Sequence, residues 1–554
     1  MTNLDTFVPP RSAGPARHQF VGTLAIDGGA LALEPRDTRT WVPMPGRSDR
    51  FPAVRIPFVT VDGDLVPVDR GILGARDGVS YWSLMAGVGR VWADPADGGR
   101  SRAAIPFALM HPLENDSHHG LATFTYDDTS VGDVTLRIVQ RTAPFLVSNG
   151  FGAAGVAPAR REPLDGAGVA HETIVNRHRA ERRGRFPVRP WNELATRCDL
   201  ALLGAVAGAH GAGAIVHALD VDGTLYAEPC RADGGVFPYP ETMACGVWSV
   251  TKSAATMVAA LRLARTVGDH VLDVRVRDVF AGAARHDGWR DVTLAHCLDM
   301  ATGIGGTAGP PGPAMEADYA TEFWHDAHGA AAYRVWYLAE SRDDKLAAAF
   351  ACPAMPWGPG VHARYRDQDL FMAGAMIAEL HRRHDGRAPG LWDAMLDEVY
   401  RPIGIAHLTT THTLGPDPVP LGAFGLFLTL DAAAKIARLL HDGGRRGAEQ
   451  VLSAVRTAEA LGRAGLAPRL TGRTSAAGAI GYRSTFWFHP FRARDGVIHR
   501  IPTMNGYGGN VVALFPNGMT GLRFAHDIGG DERWSLDGLA HVAEAIRPFP
   551  TPHV

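Results

Sequence analysis

Two parts of the chain differ in the pattern of their hydrophobic positions. Residues 19–147 carry short alternating runs broken by Gly, Asp and Pro, and the two clearest runs are 54–61 and 134–139. Alternation with a period of two is typical of strands, so this interval is predicted to be a β-rich N-terminal domain. Residues 1–18 are predicted to be a loose tail. Residues 148–189, rich first in Gly and Ala and then in Arg, are predicted to be a linker.

From residue 190 to residue 554 the pattern has matching ends and a mostly helical middle. A helix over 193–207 and a hairpin over 214–227 begin this region, and a hairpin over 510–525 and a helix over 536–546 end it. This order predicts an α+β domain in which one antiparallel sheet is built from both ends and flanked by helices. A helical subdomain would be inserted in the middle.

Composition narrows the function classes. The chain has 554 residues, 46% of them hydrophobic, and a formal net charge of −3, which argues against a dedicated nucleic-acid binder. No apolar run reaches the roughly 18 residues of a membrane span. The polar N-terminus lacks the apolar stretch of a secretory signal. The five cysteines are widely spread without C-x-x-C spacing, which favours neither a disulfide framework nor a zinc site. A cytoplasmic enzyme is expected, with a periplasmic product that has lost its leader as the alternative.

Ser249 and Lys252 carry the most informative chemical signal. They form an S-x-x-K motif that opens a long apolar run, 253–263. Residues three apart lie on one helix face, and a helix N-terminus offers backbone N–H groups and positive potential. A neutral lysine could take the serine proton and make the hydroxyl a nucleophile. The alternative is a capped, exposed helix start, because S-x-x-K often arises by chance.

Four further segments follow this motif in a consistent order. They are 292–304, then 357–360 with Tyr365-Arg366-Asp367, then 422–426 with Thr429-Leu430-Asp431, and finally 506–510 with Pro516 and Gly518. Together with Ser249-Val250-Thr251-Lys252 they resemble the serine β-lactamase and penicillin-recognising superfamily. Within this superfamily, the motifs are most similar to those of class C β-lactamases, D,D-peptidases, β-lactamase-fold carboxylesterases and 6-aminohexanoate-dimer hydrolase. The resemblance covers about residues 190–550.

This resemblance implies a β-lactamase-like fold and a role for each matched residue. Ser249 would be the acylated nucleophile. Lys252, with a lowered pKa, and Tyr365 would serve as general base and acid, and which of them is the base stays open. The backbone N–H groups of Ser249 and Tyr507 would bind the oxyanion.

Substrate binding would involve Asp367, Asn505 and Gly506, and two of these positions depart from the family pattern. The triplet Met504-Asn505-Gly506 lacks the usual Lys or His, which makes β-lactams less suitable substrates. Asp367 replaces an asparagine and has no amide N–H to donate. Asp367 could pair with a substrate amine, cap the helix that follows, or pair with Lys252. In the last case it would raise the pKa of Lys252, and Tyr365 would have to act as the general base.

The sequence therefore predicts a serine hydrolase for a small ester or amide, without cofactor or metal. An acyltransferase that uses the same acyl-enzyme and a catalytically silent binding protein are the alternatives. The partner is expected to be the small-molecule substrate, with no nucleic acid and no membrane. The oligomeric state is open, with a homodimer among the options. The N-terminal domain could shape the cleft, mediate assembly or bind something else.

Three other features are interpreted without a catalytic role. The polar cluster at 111–119 is predicted to be a solvated loop, because its spacing matches no zinc pattern. The arginines of 177–189 are predicted to be solvated. A Gly- and Pro-rich stretch, 303–313, precedes four aromatic residues that could form a mobile wall over the cleft or pack on their own core. These aromatic residues are Phe323, Trp324, Trp336 and Tyr337. No G-x-S-x-G, P-loop or Rossmann motif is present.

Overall fold

The computed structural model combines helices with two large antiparallel sheets. It describes residues 4–37, 49–74, 80–145, 150–164, 171–209, 213–305, 332–386, 389–526, 528 and 535–551. The first sheet is built from the N-terminal part of the chain and the second from both ends of the C-terminal part. Each sheet has a hydrophobic core of its own. Within the described residues, no helix combines the length and the apolarity needed to cross a bilayer.

The first sheet has the strand order β12-β10-β9-β8-β7-β4-β3-β1-β13, with β6 beside β8 and β5 beside β6, while β2 pairs with β11. The strands are β1 Val21–Ile26, β2 Glu34–Asp37, β3 Val54–Val61, β4 Asp64–Pro67, β5 Leu73–Gly74, β6 Ser83–Ala86, β7 Gly89–Ala93, β8 Ser101–Met110, β9 His118–Tyr126, β10 Val134–Arg141, β11 Gly150–Gly152, β12 Ala154–Ala157 and β13 Ala159–Glu162. The two strands predicted from alternation are confirmed as β3 and β10.

The interval predicted to be a linker is instead folded against the first sheet. It contains β11, β12 and β13, and β13 pairs with β1. Helix α1, His171–Gly184, follows and buries Ile174 and His178, which lie one turn apart. His178 Nε2 lies 2.9 Å from Asp64 Oδ2. The Arg-rich composition concealed this buried face, because only two of its residues are buried and Arg182, one turn further on, stays exposed while it bonds Asp64 Oδ2 at 3.2 Å.

The second sheet has the order β14-β16-β15-β29-β28-β27-β26-β25-β24. The strands from this half of the chain are β14 Val188–Pro190, β15 Ala214–Val221, β16 Thr224–Ala227, β17 Arg231–Ala232, β18 Gly235–Val236, β19 Cys245–Gly246, β20 Thr409–Thr410, β21 Leu426–Leu428, β22 Arg445–Arg446, β23 Glu449–Gln450, β24 Arg469–Ser475, β25 Gly478–Arg483, β26 Phe486–Arg492, β27 Ile498–Gly506, β28 Asn510–Leu514 and β29 Thr520–Ala525. Both predicted hairpins are confirmed, as β15–β16 and β28–β29, and β15 pairs with β29 to join the two ends of the region.

The helices after α1 lie mainly between β19 and β24. They are α2 Leu200–Ala209, α3 Val258–Val267, α4 Val276–Val279, α5 Leu294–Leu298, α6 Ala332–Leu338, α7 Arg342–Phe350, α8 Asp367–Asp385, α9 Leu391–Met395, α10 Leu430–His441, α11 Ala454–Ala460 and α12 Asp537–Ile546. The predicted closing helix is confirmed as α12. The helix predicted over 193–207 is broken, because the Asp199 side chain accepts the Ala201 N–H at 2.9 Å and starts α2 as a separate helix.

Candidate active site

Ser249 lies at the entrance to the central helix of the second core. The short strand β19 leads through Val247 and Trp248 to Ser249, and a π-helical segment, Lys252–Met257, continues directly into α3. Lys252 and the eleven residues of the apolar run that follows it are all buried. Even the arginine of this stretch, Arg262, is buried and pairs with Glu398 at 2.8 Å, so other elements surround the helix on all sides. Ser249 itself is only half-buried, so its hydroxyl lies where the buried helix meets the surface.

The ammonium group of Lys252 has at least as many hydrogen-bond partners as N–H bonds, since the Tyr365 phenol lies beside three other acceptors. Nζ donates to Ser249 Oγ, to Asp367 Oδ1 and to the Ala423 carbonyl oxygen, each at 2.7 Å. Burial alone lowers the pKa of this group, but Asp367 and Tyr365 outweigh it, so the pKa of Lys252 lies above its ordinary value. The lowered pKa that Lys252 would need as a base is therefore not found, and the alternative in which Asp367 raises the pKa of Lys252 agrees with this direction. A fully bonded ammonium beside a carboxylate has little tendency to lose its proton.

Tyr365 completes the group around Ser249. Its phenol hydrogen-bonds with Ser249 and Lys252, and Lys252 Nζ lies 4.9 Å from the centre of its ring. Trp487 and Tyr482 pack against the ring at centroid distances of 5.4 and 5.8 Å. Burial raises the pKa of the Tyr365 phenol, the Lys252 charge opposes this, and the pKa remains above its ordinary value. The resting pair is thus a phenol and an ammonium.

Asp367 belongs to the interior of this group. It is the first residue of α8, and the helix start has no side-chain cap. One carboxylate oxygen binds Lys252, and the other accepts a hydrogen bond from the Tyr333 hydroxyl at 3.1 Å. Of the three roles considered for Asp367, the pairing with Lys252 is the one found. Capping by this side chain is absent, each oxygen already has one partner inside the protein, and a contact with a substrate amine stays a prediction.

The end of β27 lies against the chain that enters Ser249. A methyl group on Gly506 would stand 2.1 Å from the Val247 carbonyl oxygen, so only glycine allows this approach. Tyr507 follows as the first residue of a tight turn, is half-buried, and its ring lies 5.7 Å from that of Trp248. Gly506 therefore serves close packing at this point.

Asn505 does not face the opening at Ser249. It is buried, and its Nδ2 lies 2.9 Å from the buried His489 Nε2. Alternation along β27 gives neighbouring side chains opposite directions, which sequence matching alone does not resolve. The structure places Asn505 in a buried pair with His489, and the expected substrate contact by Asn505 stays a prediction.

The polar cluster at 111–119 is buried, contrary to the prediction of a solvated loop. Glu114, Asn115, Asp116 and Ser117 have 0% exposure. They are buried because the second half of the chain packs on them. Within the described residues, no group of three or more His, Cys, Asp and Glu side chains is placed to hold a metal ion. The sequence offered no hint of this burial, because the run contains Glu114 and Asp116, residue types that are almost never fully buried unless paired.

The aromatic residues after the Gly- and Pro-rich stretch are only partly described. Trp336 and Tyr337 are fully buried and pack on Phe424 at 6.3 and 5.6 Å. The Tyr337 hydroxyl donates to Glu114 Oε1 at 3.0 Å. These two residues therefore belong to the core and not to a mobile wall. Phe323, Trp324 and residues 306–313 lie outside the described residues.

Comparison with known proteins gives similar solved structures only. No family model matches the chain, and no curated protein matches it. A family VIII carboxylesterase is 18% identical over 65% of this chain and 98% of that chain, with a TM-score of 0.43. A D-stereospecific amidohydrolase from Streptomyces sp. is 16% identical over 67% and 98%, with a TM-score of 0.41. A class C β-lactamase mutant is 13% identical over 64% and 96%, also with a TM-score of 0.41.

The similar structures have the serine β-lactamase and penicillin-binding-protein fold. This is the group that the sequence motifs resemble. At identities of 13–18% and TM-scores of 0.45 or less, the chemistry of this chain has to be argued from its own residues.

Proposed function

We propose that this protein is a serine hydrolase that cleaves a small ester or amide through an acyl-enzyme on Ser249. The observation that carries the proposal is the hydrogen-bonded group of Ser249, Lys252 and Tyr365, in which an amine and a phenol share one half-buried hydroxyl. Such an arrangement supplies both a nucleophile and a group to move its proton. Residues 190–554 are the proposed β-lactamase-like hydrolase domain.

Tyr365 is the proposed base, and Lys252 stays an ammonium. The competent form has lost the Tyr365 proton and is stabilised by the adjacent Lys252 charge. Ser249 Oγ attacks the carbonyl carbon and gives its proton to the Tyr365 oxygen, while the carbonyl oxygen becomes an oxyanion at the backbone N–H groups of Ser249 and Tyr507. Tyr365 then protonates the leaving alcohol or amine as the C–O or C–N bond breaks. Water repeats the sequence, releasing the carboxylic acid and restoring the Ser249 hydroxyl.

The substrate proposed is an ester or a non-peptide amide in preference to a β-lactam. At the end of β27 the side chains of Met504 and Asn505 are both buried, and neither carries a charge. These two side chains therefore supply no cation for a substrate carboxylate. A neutral or weakly polar acyl group suits this place better.

Labelling with a fluorophosphonate tests the proposal. We expect wild type to be labelled and Ser249→Ala to be inert. Ser253→Ala is the matched control, because Ser253 belongs to the same helix but its hydroxyl donates to the buried Thr485 carbonyl oxygen at 2.8 Å. A panel of short-chain esters, amides and a chromogenic β-lactam, read with and without an added alcohol or amine acceptor, then defines the reaction. Folded wild type that labels no better than Ser249→Ala would instead be a binding protein.

A further inference from the structure

We propose that the first sheet positions the nucleophile, with Asn115 as a positioning residue that holds Trp248 in a strained backbone conformation. The inference rests on the proposed function, because it concerns how Ser249 is presented to a substrate. It assigns a role to the buried polar segment of the N-terminal part of the chain. The role is to fix the backbone that precedes Ser249.

Trp248 carries the strain. Its φ is +50°, in the left-handed region that bulky residues rarely adopt. Such a conformation costs on the order of 1–3 kcal/mol and persists only where the surroundings over-determine it. Trp248 directly precedes Ser249, so its backbone angles set the direction of the Ser249 N–H and the start of the catalytic helix.

Two groups from the first half of the chain hold Trp248. Its backbone N–H donates to Asn115 Oδ1 at 2.6 Å, and its indole Nε1–H donates to the Ala143 carbonyl oxygen at 2.9 Å. Asn115 Nδ2 donates in turn to the Leu426 carbonyl oxygen at 3.1 Å, in the strand β21 that pairs with β19. Asn115 thus ties together the residue before the nucleophile and the neighbouring strand.

Close packing reinforces these hydrogen bonds on both sides of the site. A methyl group on Gly246 would stand 1.7 Å from the Asn115 carbonyl oxygen, and one on Gly508 would stand 2.4 Å from Ala143 Cβ. Gly246 lies in the strand that leads to Ser249, and Gly508 lies in the turn that carries Tyr507. Both proposed oxyanion donors are therefore in segments that pack directly on the first half of the chain.

Phe145 and Ser117 extend the same contact. The Phe145 ring lies 5.4 Å from the Trp248 ring and 4.7 Å from the Tyr507 ring. Ser117 Oγ accepts the Gly246 N–H at 3.1 Å. The chain entering Ser249 is thus fixed at Gly246 and at Trp248 by side chains that neither touch the reacting atoms nor belong to the second sheet.

The test compares two substitutions of Asn115 that differ in what they can accept and donate. Asn115→Leu keeps the size but removes both hydrogen bonds. We expect kcat and the rate of fluorophosphonate labelling to fall by about 10- to 100-fold with a small change in KM, because misplacement of about 1 Å costs roughly that much in rate. In Asn115→Asp one carboxyl oxygen still accepts the Trp248 N–H. When protonated, this carboxyl also donates to Leu426, so the ratio of variant to wild-type activity should rise as pH falls.

Thr123→Val is the matched control, because it removes another buried hydrogen bond of the first sheet, to the Ala103 carbonyl oxygen at 2.8 Å, without contact to Trp248. We expect this variant to lose stability and to keep kcat. The proposal is overturned if folded Asn115→Leu keeps wild-type kcat, or if Thr123→Val lowers kcat equally at the same loss of stability. Should Asn115→Leu not fold, a pH-independent activity ratio for Asn115→Asp overturns the proposal by itself.

Amide hydrogen exchange separates this inference from the proposed function. We expect Asn115→Leu to speed exchange at the Trp248 and Ser249 amides relative to Thr123→Val, whether or not the protein is an enzyme. If wild type is not labelled by fluorophosphonate, the proposed function fails while this exchange still decides the positioning role. Unchanged exchange at these amides would overturn the role of Asn115.

Discussion

Asp367→Asn probes the electrostatics of the proposed active site most directly. The substitution removes the carboxylate bonded to Lys252 Nζ at 2.7 Å and leaves a side chain of the same shape. Asp367 raises the pKa of Lys252 and also raises that of Tyr365, so its removal lowers both. Because the competent form has lost one proton from this pair, the rising limb of kcat/KM against pH should move to lower pH.

The size of the effect follows from the geometry. Two unit charges about 4 Å apart interact by about 4 kcal/mol at an effective dielectric constant of about 20. About 1.4 kcal/mol displaces a titration by one pH unit. We therefore expect the limb to move by at least about one pH unit. Because Lys252 and Tyr365 titrate as a coupled pair, this midpoint belongs to the pair and not to either residue.

Asp367→Asn should also lower the free energy of unfolding, by an amount that depends on pH. A buried ammonium without its partner costs about 3–5 kcal/mol, and the folded state then releases its proton more readily than the unfolded state. The unfolded state binds more protons in that range, so the free energy of unfolding of Asp367→Asn should rise with pH relative to wild type. Denaturant titrations at several pH values measure this difference.

Asp369→Asn is the matched control. Asp369 is a buried carboxyl on the same helix that accepts from Thr302 Oγ1 at 2.9 Å. Burial raises the pKa of Asp369 to about 6, so its substitution removes one negative charge at pH values above this. We expect its pH limb to move less than that of Asp367→Asn. Equal displacement in the two variants, or a wild-type profile for folded Asp367→Asn, would refute the assignment of Asp367 as the group that sets this titration.

Three further predictions concern the base, a buried carboxyl and a close approach. Tyr365→Phe should lower kcat by about 10²- to 10⁴-fold and change KM less. Steady-state hydrolysis measures both constants, and an unchanged kcat would exclude Tyr365 as the base. Burial raises the pKa of Asp220 to about 6, against an ordinary 3.8, so wild type loses stability as pH rises from about 4 to 6. Asp220→Asn keeps an oxygen that accepts the Gly223 N–H. Its free energy of unfolding at pH 7, measured by denaturant titration, should therefore exceed that of wild type by on the order of 1–3 kcal/mol, and equal values would contradict this. Gly506→Ala should lower the free energy of unfolding by about 1–3 kcal/mol or more, because its methyl would stand 2.1 Å from a backbone carbonyl oxygen. Gly358→Ala is the control, since the space around Gly358 is open and this variant should melt like wild type. Equal melting curves for the two variants would show that the backbone around Gly506 can relax.

The sequence predicted those parts of the fold that depend on neighbours along the chain. Alternation located β3 and β10, and short turns located the hairpins β15–β16 and β28–β29. The spacing of Ser249 and Lys252 placed both groups one helical turn apart, where Nζ reaches Oγ at 2.7 Å. These features follow from local backbone geometry, which a short stretch of residues determines by itself.

Prediction from local sequence failed where the burial of a residue depends on contacts with distant parts of the chain. The polar residues near Asn115 have the composition of a surface loop, yet they are buried where Trp248 and Tyr337 contact them from the second half of the chain. The Arg-rich segment of α1 has the composition of a linker, and its buried face became evident only against the first sheet. Composition reports what a side chain prefers on average, whereas burial is decided by its partners.

Sequence alone identified the groups that are proposed to do chemistry in this protein: a serine, a lysine and a tyrosine. The tertiary structure decided the protonation states of these groups and the contacts that hold them in place. Lys252 meets Asp367 and Ala423 across 115 and 171 residues, and Trp248 meets Asn115 across 133 residues. A pKa depends on charges and burial within a few ångströms in space, and the folded chain, not residue spacing, sets those distances.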